Sequence, residues 1–266
     1  MSFLYSWRIH SRNLYEDCFA RLHHCPAKLD RLLISIHIPK TAGTSFRMIL
    51  RCALGQKILF DYGRSSPMTS SCIQKYIHAV SQPDASALQK QCRHQHIQCI
   101  HGHFLAQRYL EIFPIADYIT WLRDPVQRVI SQYYYQKQSL DPNNEINTAV
   151  YHGQMGIREF ANLEGNQNLQ SLYLSGMALE DFAFIGLCEE FELGIRAVYK
   201  MMNINCDVPR IKKSNRTRIK PFHIDSETIA SIRQANQEDM ALYESGKRYF
   251  HSIIEDLHLS TKKNSF

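Results

Sequence analysis

Lys40, Thr41, Thr44 and Ser45 surround one glycine in the run Pro39-Lys40-Thr41-Ala42-Gly43-Thr44-Ser45, a set able to hold a phosphate. The lysine supplies a mobile cation and the hydroxyls supply donors. What they do depends on the elements around them. Leu32 to Ile38 is short, continuous and rich in isoleucine, which predicts a buried strand. Phe46, Ile49, Leu50 and Ala53 then recur at helical spacing, with Thr44 or Ser45 able to cap that helix. A strand, a tight turn and a helix N-terminus aim backbone N–H groups and a positive dipole end at one point. The predicted phosphate cradle is Lys40, Thr41, Ala42, Gly43, Thr44 and Ser45.

A Walker A loop needs Gly-x-x-x-x-Gly-Lys-Ser/Thr, with lysine after the second glycine. Here the lysine comes three residues before a single glycine. A second strand–turn–helix follows at Asp117 to Tyr135, where Tyr118 to Leu122 are strand formers and Pro125 suits a first helical turn. Arg123 stands at the carboxyl end of that strand, where open α/β sheets place ligand contacts. Ser131 lies eight positions on, two turns into the helix. These two elements resemble those of sulfotransferases that use 3′-phosphoadenosine 5′-phosphosulfate (PAPS). The resemblance implies an α/β fold, a single P-loop-like domain with a central, mostly parallel sheet flanked by helices. It implies that the Lys40 turn holds the 5′-phosphosulfate, while Arg123 and Ser131 hold the 3′-phosphate.

Between the two elements, Ile97 to Phe104 reads as a short strand ending in His101-Gly102-His103. Histidine has the intrinsic pKa to take a proton from a sugar hydroxyl near neutral pH. The nearest resemblance is to carbohydrate 2-O-sulfotransferases acting on the uronic acids of heparan and dermatan sulfate. It implies that His103 is the catalytic base, with His101 either catalytic or supporting. Gly165 to Gly176 is similar to the family's Asn/Gln-containing segment near the acceptor, or is a polar helix start. Pro209 to Arg218, the most basic run, matches a loop that in relatives closes over the nucleotide, which assigns Lys213, Ser214 and, more loosely, Thr217 to it. Cys92, His94, His96, Cys99, His101 and His103 could form a metal site at strand spacing. No Cys-x-x-Cys occurs, so no metal is assigned.

The implied chemistry is in-line sulfuryl transfer from PAPS to a carbohydrate or polysaccharide hydroxyl, leaving adenosine 3′,5′-bisphosphate. His103 removes the acceptor proton, and Lys40 stabilises charge on the leaving phosphate oxygen. The alternatives are a P-loop-type kinase or NTPase, or an inactive nucleotide- or polysaccharide-binding relative. Thirty-one Lys and Arg against 25 Asp and Glu give +6, which suits anionic ligands without pointing to nucleic acid.

Length suits one domain: 266 residues divide into an N-terminal, helical extension (1–30), a sulfotransferase domain (31–258) and a polar tail (259–266). Eight cysteines lack compact framework spacing and read as reduced. Animal relatives are type II Golgi membrane proteins. The first thirty residues here hold no apolar run of membrane length, a departure that predicts a soluble, cytoplasmic enzyme. Further expectations are a strand at Lys57 to Asp61 and helix from Ser71 to Cys92, broken at Pro83. Leu105 to Phe113 reads as helix, Asp141 to Gly156 as loop and Asp181 to Leu187 as strand. Glu189 to Met202 and Ile224 to Leu257 read as helical, the latter capped by Asp225 or Ser226.

Overall fold

The computed structural model describes Ala27 and residues 29–78, 85–204 and 224–259. The basic run Pro209 to Arg218, with Lys213, Ser214 and Thr217, and nearly all of the N-terminal extension lie outside these residues. Ala27 is already part of the core, and its N–H donates to the Ala53 carbonyl at 2.9 Å.

Five strands form one sheet in the order β2-β3-β1-β4-β5: β1 (Leu33–Ile36), β2 (Ile58–Asp61), β3 (Cys99–Gly102), β4 (Asp117–Leu122) and β5 (Phe184–Leu187). Every pairing is parallel. A parallel sheet covered on both faces needs strands that are apolar throughout, and β1, β3 and β5 are buried at every position. Helix α1 (Gly43–Leu54) follows β1, and α2 (Ser71–His78) and α3 (Ala85–His94) join β2 to β3. The single turn α4 (Gln107–Leu110) leads to β4. Helix α5 (Pro125–Gln138) leaves β4 and packs with α6 (Glu145–Tyr151) and α7 (Ile157–Ala161) around Val129, Tyr133, Val150 and Phe160. The short α8 (Leu169–Leu174) precedes β5, and α9 (Phe191–Met201) follows it. Helices α10 (Ser226–Ala235) and α11 (Gln237–Asp256) close the fold, α11 lying against β5. Trp121 centres the main core, with its ring 4.7 Å from Phe191, 5.3 Å from Phe46 and 5.7 Å from Phe184.

Several boundaries differ from the sequence expectation. The first strand stops at Ile36, because Pro39 has no N–H for a ladder and Lys40 turns the chain with φ of 71°. Asp141 to Gly156 is not all loop, since Asn144 caps α6 by accepting from the Asn147 N–H. Helix α4 is shorter than Leu105 to Phe113. Asp181 ends a 3-10 turn rather than opening a strand. Asn236 breaks the carboxy-terminal helix in two, and Asp225 is the cap of the first half.

The order of the strands places the site. The chain leaves β1 toward β2 and leaves β4 toward β5, so neighbouring strands send their crossovers in opposite directions. The crevice at such a switch point, beyond the carboxyl ends, is where α/β sheets bind ligands. The Lys40 turn and Arg123 flank it.

On the other side of β1, Gly102 ends β3 beside Asp61, where an added Cβ would overlap the Asp61 backbone carbonyl. Gly102→Ala should therefore force β2 and β3 apart and cost about 1–3 kcal/mol. Urea denaturation measures this, and an unchanged midpoint would show that the two strand ends can yield.

Candidate functional site

The turn after β1 is built from strained backbone. Lys40 and Ala42 both have positive φ, 71° and 65°, which side chains with a Cβ adopt at a cost. Alternation of this kind folds successive N–H groups into a concave anion nest. Helix α1 begins at Gly43 without any side-chain cap, unlike the expected capping by Thr44 or Ser45. Its ladder opens with the Phe46 N–H donating to Ala42, so the N–H groups ahead of it lie at the helix mouth with the positive dipole end. An added Cβ on Gly43 would overlap the His37 ring, so the cradle and that ring are in close contact. Thr41 differs from its expected role. It is buried, and its hydroxyl donates to the Ile38 carbonyl at 2.8 Å, which closes the turn.

The second element meets the first. Arg123 Nη1 donates to the Lys40 carbonyl at 3.2 Å. Its backbone is clamped from both sides by the Gln170 amide: the Arg123 N–H donates to Oε1 and Nε2 donates to the Arg123 carbonyl, both at 2.9 Å. Asp124 caps α5 through the Gln127 N–H, with Pro125 in the first turn. Ser131 is half-buried on α5. One turn further along, the ring of Tyr135 lies 4.1 Å from Lys40 Nζ, so the lysine reaches across to the Ser131 helix. Arg128, on the same helix, is wholly buried and donates to the Asn166 carbonyl at 2.8 Å. Burial lowers it to about 10, which leaves it charged at neutral pH.

His101 and His103 stand in different surroundings. His101 lies within β3, almost fully buried, with Nδ1 2.9 Å from Ser35 Oγ and Nε2 without a hydrogen-bond partner. His103 stands just past the strand end, where its N–H donates to the Asp61 carbonyl at 2.7 Å. Its Nδ1 is 2.6 Å from the His37 carbonyl. A carbonyl only accepts, so Nδ1 carries the proton and Nε2 carries the lone pair. Burial is the main cause that lowers His103 to about 4, helped by Arg47 and opposed by the His37 bond and Asp61. Burial, Arg47 and His103 also hold His101 well below the ordinary histidine value. Both imidazoles are thus neutral at pH 7.

Sequence reasoning missed the groups that hold His103. The His37 ring stacks on His103 at 4.1 Å and on His101 at 5.3 Å. Tyr62 meets His103 edge-on at 5.0 Å and accepts from Arg47 Nη1 at 3.1 Å. Asp61 is fully buried and accepts from Arg108 at 2.8 Å, Tyr109 at 2.9 Å and the Gly63 N–H at 3.1 Å. Its position at a strand's carboxyl end was the available signal. The segment around Gln170 opens a helix at Leu169, as its polar-helix-start reading has it, and its amide grips Arg123. The possible metal ligands from Cys92 to His103 are split between α3, the connection and β3. Among the described residues no three His, Cys, Asp or Glu side chains converge on one point.

Residues 28–245 match the Sulfotransferase family, and the chain belongs to that family. An uncharacterized protein of Archaeoglobus fulgidus is 22% identical over 250 residues, covering 80% of this chain and 94% of its own. A sulfotransferase crystal structure from Alicyclobacillus acidocaldarius aligns over 84% of this chain and 97% of that one, at 13% identity and a TM-score of 0.46. The mouse sulfotransferase SULT7A1 complexed with PAP aligns over 84% and 70%, at 13% identity and a TM-score of 0.35. Both structural likenesses are loose. No helix among the described residues is long and apolar enough to cross a membrane.

The lowered histidines fix the sign of a pH effect. Below an unfolded value of about 6.5 the unfolded chain binds protons that the folded His101 and His103 refuse. Their share of stability is intact above that pH and falls by about 1.4 kcal/mol per pH unit for each histidine as the solution is acidified toward pH 4. His103→Gln should remove one share, so urea midpoints measured from pH 7.5 to 4.5 should fall less steeply than in the wild type. An unchanged slope would show that His103 titrates as an ordinary surface histidine.

Proposed function

We propose that this sulfotransferase moves the sulfuryl group of PAPS to a hydroxyl of a carbohydrate acceptor, with His103 as general base. The observation that carries the reading is the bond from His103 Nδ1–H to the His37 carbonyl, which turns the Nε2 lone pair toward chemistry. A base lowered to about 4 is unprotonated at pH 7, and negative charge in the adjoining cradle raises its affinity for a proton when needed. The uncapped α1 N-terminus and the strained Lys40–Ala42 turn suit a 5′-phosphosulfate. The nearby Arg123 and Ser131 suit a 3′-phosphate. When bound there, PAPS supplies the activated sulfuryl group and a stable leaving group. Lys40, resting on Tyr135, is the mobile cation that offsets charge on the leaving oxygen. His101, sealed from solvent and bonded to Ser35, takes the supporting role of packing against the His37 stack. The His-Gly-His placement favours a carbohydrate hydroxyl, and five cysteines among the described residues that stand outside any disulfide fit a cytoplasmic setting. Asp61 gives the kinase alternative little to hold Mg²⁺ with, because both of its oxygens already accept hydrogen bonds within the protein.

Adenosine 3′,5′-bisphosphate at 100 times Kd should stabilise the ligand-free protein by about 2.7 kcal/mol, and ATP with Mg²⁺ at the same concentration should stabilise it less. Greater stabilisation by ATP with Mg²⁺ in a thermal melt would return the kinase reading.

The base is tested by single-turnover transfer from labelled PAPS to an acceptor found by screening glycans, lipids and small phenols. His103→Ala should lower kcat roughly 10²–10⁴-fold with nucleotide affinity kept. Lys40→Ala should weaken both binding and transfer, and His101→Ala should be milder than His103→Ala. Near-wild-type transfer by folded His103→Ala protein would remove the assignment.

A further inference from the structure

We infer that Gln170, anchored by Asp239, is a positioning residue that sets the preference of this site for a 3′-phosphate. The inference rests on the assignment of Arg123 to that phosphate. Gln170 is wholly buried and cannot itself reach a nucleotide. Its amide accepts from the Arg123 N–H and donates to the Arg123 carbonyl. In extended backbone the N–H and C=O of one residue face the same side, so the amide pairs with Arg123 as a neighbouring strand would. It continues the pairing of β4 one residue beyond Leu122, where the strand itself ends. Holding the backbone of Arg123 fixes the direction of its Cβ, and hence where the planar guanidinium fork points.

Gln170 is held in turn. Its own N–H donates to Asp239 Oδ2 at 3.1 Å, and the N–H and hydroxyl of Ser171 donate to Oδ1 at 2.7 and 2.8 Å. Asp239 is fully buried in the first turn of α11, and its N–H donates to Asn168 Oδ1 at 3.3 Å. The Asn168 N–H donates to Asn236 Oδ1 at 3.1 Å. A residue 116 positions after Arg123 thereby steadies a guanidinium on the ligand side of the sheet. Such a ladder of satisfied buried groups is costly to keep half-made, which fits a device for holding geometry.

The test compares adenosine 3′,5′-bisphosphate with adenosine 5′-phosphate by calorimetric titration of the full chain. The proteins are wild type, Arg123→Ala, Gln170→Met and Gln170→Glu, each at pH 8 and pH 6. Wild type should favour the bisphosphate, and Arg123→Ala should lose most of that preference. Gln170→Met should lose about 10–100-fold of it, the range seen when a group orienting a binding residue is removed. Its affinity for the 5′-phosphate should stay unchanged. In Gln170→Glu the ionised carboxylate still accepts from the Arg123 N–H but repels the carbonyl, so the preference should be low at pH 8. Burial and that carbonyl raise the introduced carboxyl's pKa, and on protonation its O–H replaces the lost donor. The preference should then recover at pH 6 relative to wild type, a rescue that a purely structural role does not produce. Gln170→Glu with wild-type preference at both pH values, or with no recovery at pH 6, overturns the inference, even if the Met variant does not fold. Absence of a bisphosphate preference in wild type, or its survival in Arg123→Ala, overturns the assignment of Arg123 and the inference with it.

Discussion

All five strands run in the same direction, and this one constraint places the chemistry. Parallel strands present their carboxyl ends along a single edge, so the turns that leave them crowd together. The Lys40 turn, Asp61, His103 and Arg123 come from four different strands and are separated by up to 83 residues in sequence. The reversal of crossovers between β1 and β4 then opens the crevice that two of these turns line. Neither the histidine nor the arginine needs a specialised local structure to find its neighbours. The sheet brings them there.

Crowding of this kind carries an electrostatic cost. Three imidazoles, Arg47, Asp61 and Arg108 gather at one end of β2 and β3, where water is largely excluded. The protein meets the cost by keeping His101 and His103 neutral and by satisfying Asp61 with three donors, two from side chains and one from the backbone. Neutral histidines keep their lone pairs. Solvent exclusion, the source of the cost, therefore also keeps the Nε2 lone pair of His103 available.

What was legible in the sequence is local. The two strand–turn–helix elements were visible because strand residues, turn residues and helical spacing adjoin one another within about twenty residues. His103 was visible because it follows a short apolar strand. His37 was hidden within the predicted strand, although its carbonyl, not its side chain, fixes the tautomer of His103. Asp61 ends the strand expected at Lys57 to Asp61, but its partners Arg108 and Tyr109 lie 47 and 48 residues away. Gln170 stands in a segment that reads as either a family acceptor segment or a polar helix start, and neither reading reveals the packing of α8 against α11 that turns it toward Arg123. The helix start at Gly43 was misread for a related reason. Hydroxyls near a helix end suggest capping, but Ala42 in the left-handed region puts them inside the first turn.

The bond from Arg123 to the Lys40 carbonyl would join the two phosphate positions proposed for this site into one thermodynamic unit. A force that draws the guanidinium toward one anion also changes the restraint on the turn that would hold the other. By reciprocity, occupancy of either position alters the affinity of the second by the same factor. A ligand carrying two phosphates on one ribose is held as a chelate, each end raising the effective concentration of the other. Chelates dissociate slowly. With PAPS as the proposed donor, the spent nucleotide would keep both phosphates, and its departure, rather than the transfer itself, would be the natural place for turnover to be limited.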